Sequence, residues 1–255
     1  IYPVHGVLPS HLHALRYMVS EGYSPVLVSN CHLSQSDLEV LRRNSTTVIQ
    51  RKNIGYDFGG YRAGMLFLEQ IRASLTHVAV FNDSSWFPLP RSANWLSWAE
   101  CQNVDFVGVL KHGSSDWYKS LSHKGQYPRL LRRHERTLHY CSYAFLLQNE
   151  ALKSERLWLF WKKLRLSASR HRTIRNGERG LTKVVLKAKL RHRAFVSEDQ
   201  LLRVMSAPKL QEHAEIKNMR MNGGWPSCSL PLVLWSEFAF PFMKKRLDPL
   251  LVEHS

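Results

Sequence analysis

The stretch Arg51-Lys-Asn-Ile-Gly-Tyr-Asp-Phe-Gly-Gly-Tyr-Arg62 lies between a segment with strand character and a segment with helical character. The β-branched run Thr46-Thr-Val-Ile49 before it predicts a strand, and residues 61–72 after it are typical of a helix. The apolar run His77-Val-Ala-Val-Phe81 predicts the next strand. This order predicts an α/β fold, and three glycines let the connecting loop approach a ligand closely.

Two similar units precede this stretch and favour a parallel sheet. Residues 12–28 predict a helix followed by a strand, and residues 34–49 repeat that order. Because helix-connected strands pair in parallel, we predict one domain with a mostly parallel, Rossmann-like central sheet. Ligands of such sheets bind at the carboxyl ends of the strands, which is where Asn82-Asp83-Ser84-Ser85 follows its strand.

The second half of the chain is expected to complete the same domain. A long basic stretch, residues 111–136, is interpreted as a loop insertion, and an irregular tail is predicted after a helix that follows Glu198. Strands are predicted at 105–110 and 139–147, and helices at 150–166 and 180–190.

The charge balance indicates an anionic partner. Thirty-six Lys and Arg residues against 20 Asp and Glu give a formal net charge of +16, which should attract nucleic acid, anionic lipid or an anionic small molecule. A nucleic-acid-binding module is the weaker hypothesis, because no helix-turn-helix, finger spacing or ribonucleoprotein motif occurs.

The cysteines and the apolar runs bear on the cellular compartment. Four cysteines lie far apart without zinc or disulfide spacing, so we predict reduced thiols in the core. No apolar run approaches the roughly 20 residues that a membrane span needs, which predicts a cytoplasmic domain. The chain does not begin with Met, which suggests a fragment or a processed form of a longer protein.

Asp83 is the acid with the clearest chemical potential at the predicted sheet edge. Carboxylate oxygen suits Mg²⁺ or Mn²⁺, and such an ion would neutralise a leaving diphosphate. The alternative is that Asp83 caps the segment after it. The glycine stretch lacks both the Walker pattern and the dinucleotide spacing, so a tight turn stabilised by Asp57 is the alternative to a ligand loop.

Several short motifs occur in an order that is known from one family. They are His5-Gly6, Leu15-Arg16-Tyr17, Val28-Ser29-Asn30, Asn53-Ile-Gly-Tyr-Asp-Phe-Gly-Gly60, Asn82-Asp83-Ser84, His139 with Ser142-Tyr143, Phe160-Trp161, Glu178-Arg-Gly-Leu-Thr182, Leu234-Trp235 and Pro241-Phe-Met-Lys244. By these residues the chain resembles the rhamnan synthesis protein F family over nearly its whole length. It departs from the family pattern at Tyr140-Cys141 and Ala144, which leaves the acceptor and the donor sugar open.

The resemblance implies a glycosyltransferase of bacterial surface polysaccharide assembly with a GT-A-like, nucleotide-sugar-binding fold. Residues 1–110 would form the nucleotide-sugar-binding half, and residues 111–255 the acceptor-side half and the tail. The donor would be a UDP-, dTDP- or GDP-sugar carrying rhamnose or a similar sugar, used with Mn²⁺ or Mg²⁺. The acceptor would be a growing polysaccharide or its lipid-linked precursor, so an anionic membrane surface at the inner face of the cytoplasmic membrane and other domains of a synthase are expected partners.

Individual roles follow from position and from the resemblance. Glu178 is the expected general base of an inverting transfer, with stabilisation of a helix start as its alternative role and Glu198 or Asp199 as alternative bases. His139 is expected to contact the diphosphate or the acceptor, and a buried core histidine is the alternative. Asp83 is the expected metal ligand. The expected nucleotide-sugar contacts are His5, Asn30, Asn53, Gly55, Asp57, Gly59, Asn82 and Asp83.

A function without catalysis stays open at this point. A GT-A-like domain that only binds a glycan or a partner within a larger synthase would carry many of the same motifs. The acids Asp83 and Glu178 argue modestly against that alternative.

Overall fold

The computed structural model describes residues 1–113, 117–122 and 128–246 of the chain. The strands are β1 (Val26–Ser29), β2 (Thr47–Gln50), β3 (His77–Phe81), β4 (Ser85–Trp86), β5 (Phe106–His112), β6 (His139–Tyr140), β7 (Ala144–Gln148), β8 (His192–Val196) and β9 (Met243–Lys244). The α-helices are α1 (Pro9–Ser20), α2 (Gln35–Arg42), α3 (Tyr56–Leu68), α4 (Trp95–Glu100), α5 (Trp117–Ser122), α6 (Pro128–Thr137), α7 (Glu150–Lys153), α8 (Glu155–Lys163), α9 (Arg170–Thr173), α10 (Arg179–Lys187), α11 (Glu198–Ser206), α12 (Ala214–Asn222), α13 (Pro226–Ser229) and α14 (Pro231–Phe238). Glu69–Ser74 and Pro208–Leu210 are 3₁₀ turns, and Ile174–Glu178 is a π-helical turn.

The first strands pair as the alternation of helices and strands predicts. β1 and β2 are parallel, with Val28 opposite Ile49, and α2 connects them. The side chain of Ser34 caps α2 by accepting a hydrogen bond from the backbone N–H of Asp37. The predicted helix–strand units in residues 12–49 are therefore confirmed, and so is the α/β class.

The prediction of a mostly parallel central sheet is wrong. This sheet has the strand order β3-β7-β5-β6, and β8 also pairs with β5. β3 lies antiparallel to β7, with Val80 opposite Phe145, and β5 lies antiparallel to β6, with His112 opposite His139. The partner of β3 comes from a distant part of the chain, so local alternation could not reveal the direction of pairing.

The basic stretch at 111–136 is not simply a loop, contrary to its interpretation from the sequence. β5 extends to His112, and the helices α5 and α6 follow; residues 114–116 and 123–127 lie outside the described residues. The predicted irregular tail is also wrong as far as residue 238, because α12, α13 and α14 follow α11.

The chain forms two compact units, each assembled from separate segments. The first comprises Ile1–Asp83, Leu96–Val107 and Ser142–Arg193, and the second comprises Ser84–Trp95, Gly108–Cys141 and the chain from Ala194 onward. The expected division of one domain into functional halves at residue 110 stays a prediction.

Each unit has its own aromatic and aliphatic packing. In the first, Leu15, Leu27 and Leu41 form a buried cluster, and Phe58 stacks on Trp161 with ring centroids 6.1 Å apart. In the second, Phe87 stacks on Phe242 at 4.4 Å. Burial of large apolar side chains of this kind is the main stabilising contribution to a folded domain.

The structure bears on the expected state of the cysteines and on the expected lack of a membrane span. All four cysteines are free thiols, as predicted, but only Cys141 is buried, and Cys101 is exposed. Among the described helices, none combines the length and the apolar character required to cross a bilayer.

Candidate functional site

The glycine stretch begins a helix instead of forming an open loop. Gly55 adopts a left-handed conformation, with φ at 84°, directly before the first residue of α3. A Cβ atom at Gly59 would lie 2.2 Å from the carbonyl oxygen of Ile54, so only glycine fits there. Asp57 and Gly59 thus belong to the first turns of α3. The predicted helix start at residue 61 is therefore wrong, and so is the alternative of a tight turn stabilised by Asp57.

A buried polar contact holds the segment that leads into α3. Asn30 follows β1, and its Nδ2 donates to the carbonyl oxygen of Tyr56 at 3.1 Å. Arg51 donates to Oδ1 of Asn30 and, over 2.7 Å, to the carbonyl oxygen of Ile54. Both ends of the Asn30 amide are engaged within the protein, so the amide positions the start of α3. Its contact with a nucleotide stays a prediction.

Asp83 lies at the carboxyl end of β3 and is held by two donors. Its Oδ2 accepts a hydrogen bond from the backbone N–H of Tyr2 at 2.7 Å and lies 3.5 Å from Nε2 of His11. Nδ1 of His11 accepts from the backbone N–H of Leu8 at 3.1 Å, so the ring proton is on Nε2 and faces Asp83. His11 is buried, and no signal in the sequence distinguishes it from His13, the other histidine of α1.

The surroundings of Asp83 keep its carboxylate ionised. Burial raises its pKa, but the hydrogen bond from His11, the charge of the Ile1 ammonium and the hydrogen bond from Tyr2 together hold the pKa of Asp83 well below its usual range. The carboxylate is therefore charged at any physiological pH.

Asn82 joins the end of β3 to the first turn of α3. Its Nδ2 donates to Oδ2 of Asp57 at 2.9 Å, while its backbone N–H donates to the carbonyl oxygen of Tyr143 at 3.0 Å. The two motifs that the sequence analysis singled out, the glycine stretch and Asn82-Asp83-Ser84, thus meet through Asp57 and Asn82.

Tyr61 lies in α3, one helical turn after Asp57. Its hydroxyl donates to the carbonyl oxygen of Ser142 at 2.7 Å. Burial, together with the nearby charges of Asp57, Glu178 and Asp83, raises the pKa of Tyr61 far above its usual value. Tyr61 is a neutral phenol among three carboxylates. This placement of Tyr61 was not expected from the sequence, although its spacing of four residues from Asp57 was the available signal.

Glu178 ends the π-helical turn and directs its carboxylate toward Ser142. Oε1 of Glu178 accepts from the hydroxyl of Ser142 at 2.5 Å and from the backbone N–H of Ser142 at 3.4 Å. The Glu178 side chain makes no capping hydrogen bond to α10. The role of Glu178 as general base, and its alternative of stabilising the helix start electrostatically, both stay predictions.

The remaining predicted residues are placed differently. His5 and Asn53 are exposed. His139 belongs to the second unit, where it is buried and its Nδ1 lies 2.6 Å from the carbonyl oxygen of Thr137, an arrangement that fits the alternative of a core histidine. Glu198 also lies in the second unit and pairs with His134.

The side chains do not fit a metal ion held by the protein alone. Across the described ranges, no group of three or more His, Cys, Asp or Glu side chains could hold an ion. Oδ2 of Asp83 is already engaged by Tyr2 and His11, and Nε2 of His11 carries a proton that excludes it as a ligand.

Comparison with known proteins identifies the family. The family model described as rhamnan synthesis protein F matches residues 26–215, well over half of the chain. The chain belongs to the rhamnan synthesis protein F family. The match includes β1, β2, α3, β3 and Glu178, so it contains most of the group just described.

One curated relative extends this finding. The chain is 31% identical over 183 residues to the uncharacterized protein y4gN of Sinorhizobium fredii, a match that covers 72% of this chain and 43% of that protein. The chain therefore spans less than half the length of this relative. No solved structure matches the chain.

Proposed function

We propose that the chain is the nucleotide-sugar-binding, GT-A-like part of a glycosyltransferase that acts in rhamnan or related polysaccharide synthesis. The observation that carries this proposal is a group of linked side chains in the first unit, in which Asn82 contacts Asp57 while Ser142 contacts both Tyr61 and Glu178. Membership in the rhamnan synthesis protein F family supports the substrate class.

The donor diphosphate would lie at the start of α3. This 13-residue helix presents backbone N–H groups at its first turn, beside the guanidinium of Arg51, and both favour an anion. Asn82 and Asp57 would face the sugar or the ribose as hydrogen-bonding groups. The sequence analysis did not assign a role to Arg51.

Glu178 would act as the general base of an inverting transfer. The acceptor hydroxyl attacks the anomeric carbon, a new C–O bond forms as the bond to the diphosphate breaks, and the proton moves to Glu178. Ser142 would orient Glu178 by donating its hydroxyl proton to Oε1 of the carboxylate. Tyr61 keeps its proton, which it donates to the carbonyl oxygen of Ser142, so it would not act as a base. A requirement for Mn²⁺ or Mg²⁺ stays a prediction.

A donor screen tests this proposal. We expect hydrolysis or transfer from at least one of UDP-, dTDP- and GDP-linked rhamnose or a related sugar, with and without Mn²⁺. Saturable donor binding without turnover, in the presence of rhamnan oligosaccharide acceptors, would support the alternative of a non-catalytic binding domain. No binding of any donor would contradict the proposal, and binding of the oligosaccharide alone would then support the alternative.

A further inference from the structure

Helix α6 carries four arginines that have no part in the proposed transfer. Arg129, Arg132, Arg133 and Arg136 are all exposed. Their spacing places them on one face of the helix, within an arc of about 100° and about 10 Å of helix length. We refer to these four residues as the α6 arginine face.

The opposite side of α6 is fixed within the second unit. His134 is buried, and its Nε2 lies 2.9 Å from Oε2 of Glu198 in α11. The other oxygen of Glu198 accepts from the backbone N–H of Gly113 at 2.9 Å. His134 lies about 150° around the helix from the centre of the α6 arginine face, so this contact directs the four guanidinium groups away from the core.

The packing beneath α6 leaves little freedom to turn the helix. A Cβ atom at Gly113 would lie 2.3 Å from Nδ1 and 2.7 Å from the carbonyl oxygen of His134. The end of β5 therefore contacts α6 at close range. The α6 arginine face is a fixed feature of the second unit, unlike a flexible basic segment.

We propose that the α6 arginine face docks the chain on an anionic lipid bilayer. Guanidinium groups bind phosphate through paired hydrogen bonds, and four of them on one short, fixed face can reach a flat surface together. Attraction to an anionic leaflet grows with each cation near it, and the net charge of +16 adds a long-range component. α6 contains no Phe, Tyr or Trp that could stack on nucleic-acid bases, which favours lipid over RNA or DNA.

Vesicle binding tests the proposal without any turnover measurement. The probe is vesicles of about one-third phosphatidylglycerol in phosphatidylcholine, compared with pure phosphatidylcholine. We expect the chain to bind only the anionic vesicles and to be released by moderate salt. Replacing all four arginines of the α6 arginine face by Gln should weaken binding by about 10²- to 10³-fold.

A matched control separates the α6 arginine face from net charge. It replaces four exposed cations on four other helices by Gln, namely Arg16, Arg42, Lys183 and Arg203. This control should bind within about fivefold of the wild type, because its lost charges are spread over the surface. A triple variant that keeps Arg133 covers the case that the fourfold variant does not fold, which a melting curve would reveal.

Three results would overturn the proposal. An equal loss of vesicle binding in the control variant and in the fourfold α6 variant would mean that net charge alone attracts the chain to lipid. Unchanged binding in the face variant would mean that another surface docks. Tighter binding of a single-stranded oligonucleotide than of the vesicles, lost in the face variant, would make nucleic acid the partner. Failure of the donor screen would leave the docking proposal intact, since vesicle binding does not require transfer.

Discussion

At the scale of single residues, Asp83 and His11 form the most informative pair. The backbone N–H of Leu8 occupies Nδ1 of His11, which leaves Nε2 to donate toward a carboxylate at the end of β3. Burial raises the pKa of Asp83, but the hydrogen bond from His11, the charge of the Ile1 ammonium and the hydrogen bond from Tyr2 together lower it, so ionised Asp83 stabilises the folded chain. The same contacts place a fixed negative charge beside Tyr61.

Asp83→Asn should destabilise the chain in a pH-dependent way. The lowered pKa of Asp83 stabilises the folded state above the unfolded pKa of about 3.9, and that stabilisation is lost as pH falls toward the folded value. Urea unfolding at pH 7 should therefore show a clear deficit for Asp83→Asn relative to wild type. The deficit should shrink as the pH falls below about 4. A deficit independent of pH would contradict the role of its charge.

At the scale of elements, α3 depends on close backbone contacts at its start. Asn30 and Arg51 hold the incoming segment, and Gly59 leaves room for the carbonyl group of Ile54. Gly64 lies later in the same helix, where an added Cβ would meet only a methyl group of Val28 at 3.5 Å. Substitution by Ala at Gly59 and at Gly64 therefore gives a matched pair of variants within one helix.

Gly59→Ala should destabilise the chain by about 1–3 kcal/mol, because the helix start or Ile54 must move. Gly64→Ala should be neutral or stabilising by up to about 1 kcal/mol, since Ala favours helix and ordinary contact is available. Denaturant unfolding of both variants measures the difference. Equal effects at the two positions would refute the close packing described for Gly59.

The strands also show how much of the fold could be predicted from the sequence. Short runs of β-branched and apolar residues located β1, β2 and β3, because these signals are local. The antiparallel partner β7 could not be assigned to β3 in advance, since pairing between distant segments depends on packing of the whole chain. Within the site, the family motifs identified Asp57, Asn82 and Glu178. No role was predicted for His11 or Ser142, because the position of each matters only through its contacts in the folded chain.

At the scale of the whole molecule, a strongly basic chain combines an acidic site in one unit with an arginine face in the other. The chain belongs to the rhamnan synthesis protein F family. Its matched region covers 43% of the curated relative y4gN.

Nucleoside diphosphates should stabilise the chain more than nucleic acid does. A ligand that binds only the folded state at about a hundred times its Kd should raise the melting temperature by about 5–10 °C. We expect this shift for at least one of UDP, dTDP and GDP. An oligonucleotide of equal charge concentration serves as the control, and a larger shift with it would favour a nucleic-acid-binding function.

The central claim is that Glu178 takes the proton of the acceptor, and one substitution tests it most directly. Glu178→Gln should lower turnover by roughly 10²- to 10⁴-fold while leaving nucleoside diphosphate affinity unchanged, because Arg51 and the start of α3 remain. Asp199→Asn makes the same charge change at an exposed residue of the second unit and should keep wild-type turnover. Turnover, affinity and melting temperature are measured on the same preparations. Wild-type turnover in Glu178→Gln, or its loss in Asp199→Asn alone, would contradict the account.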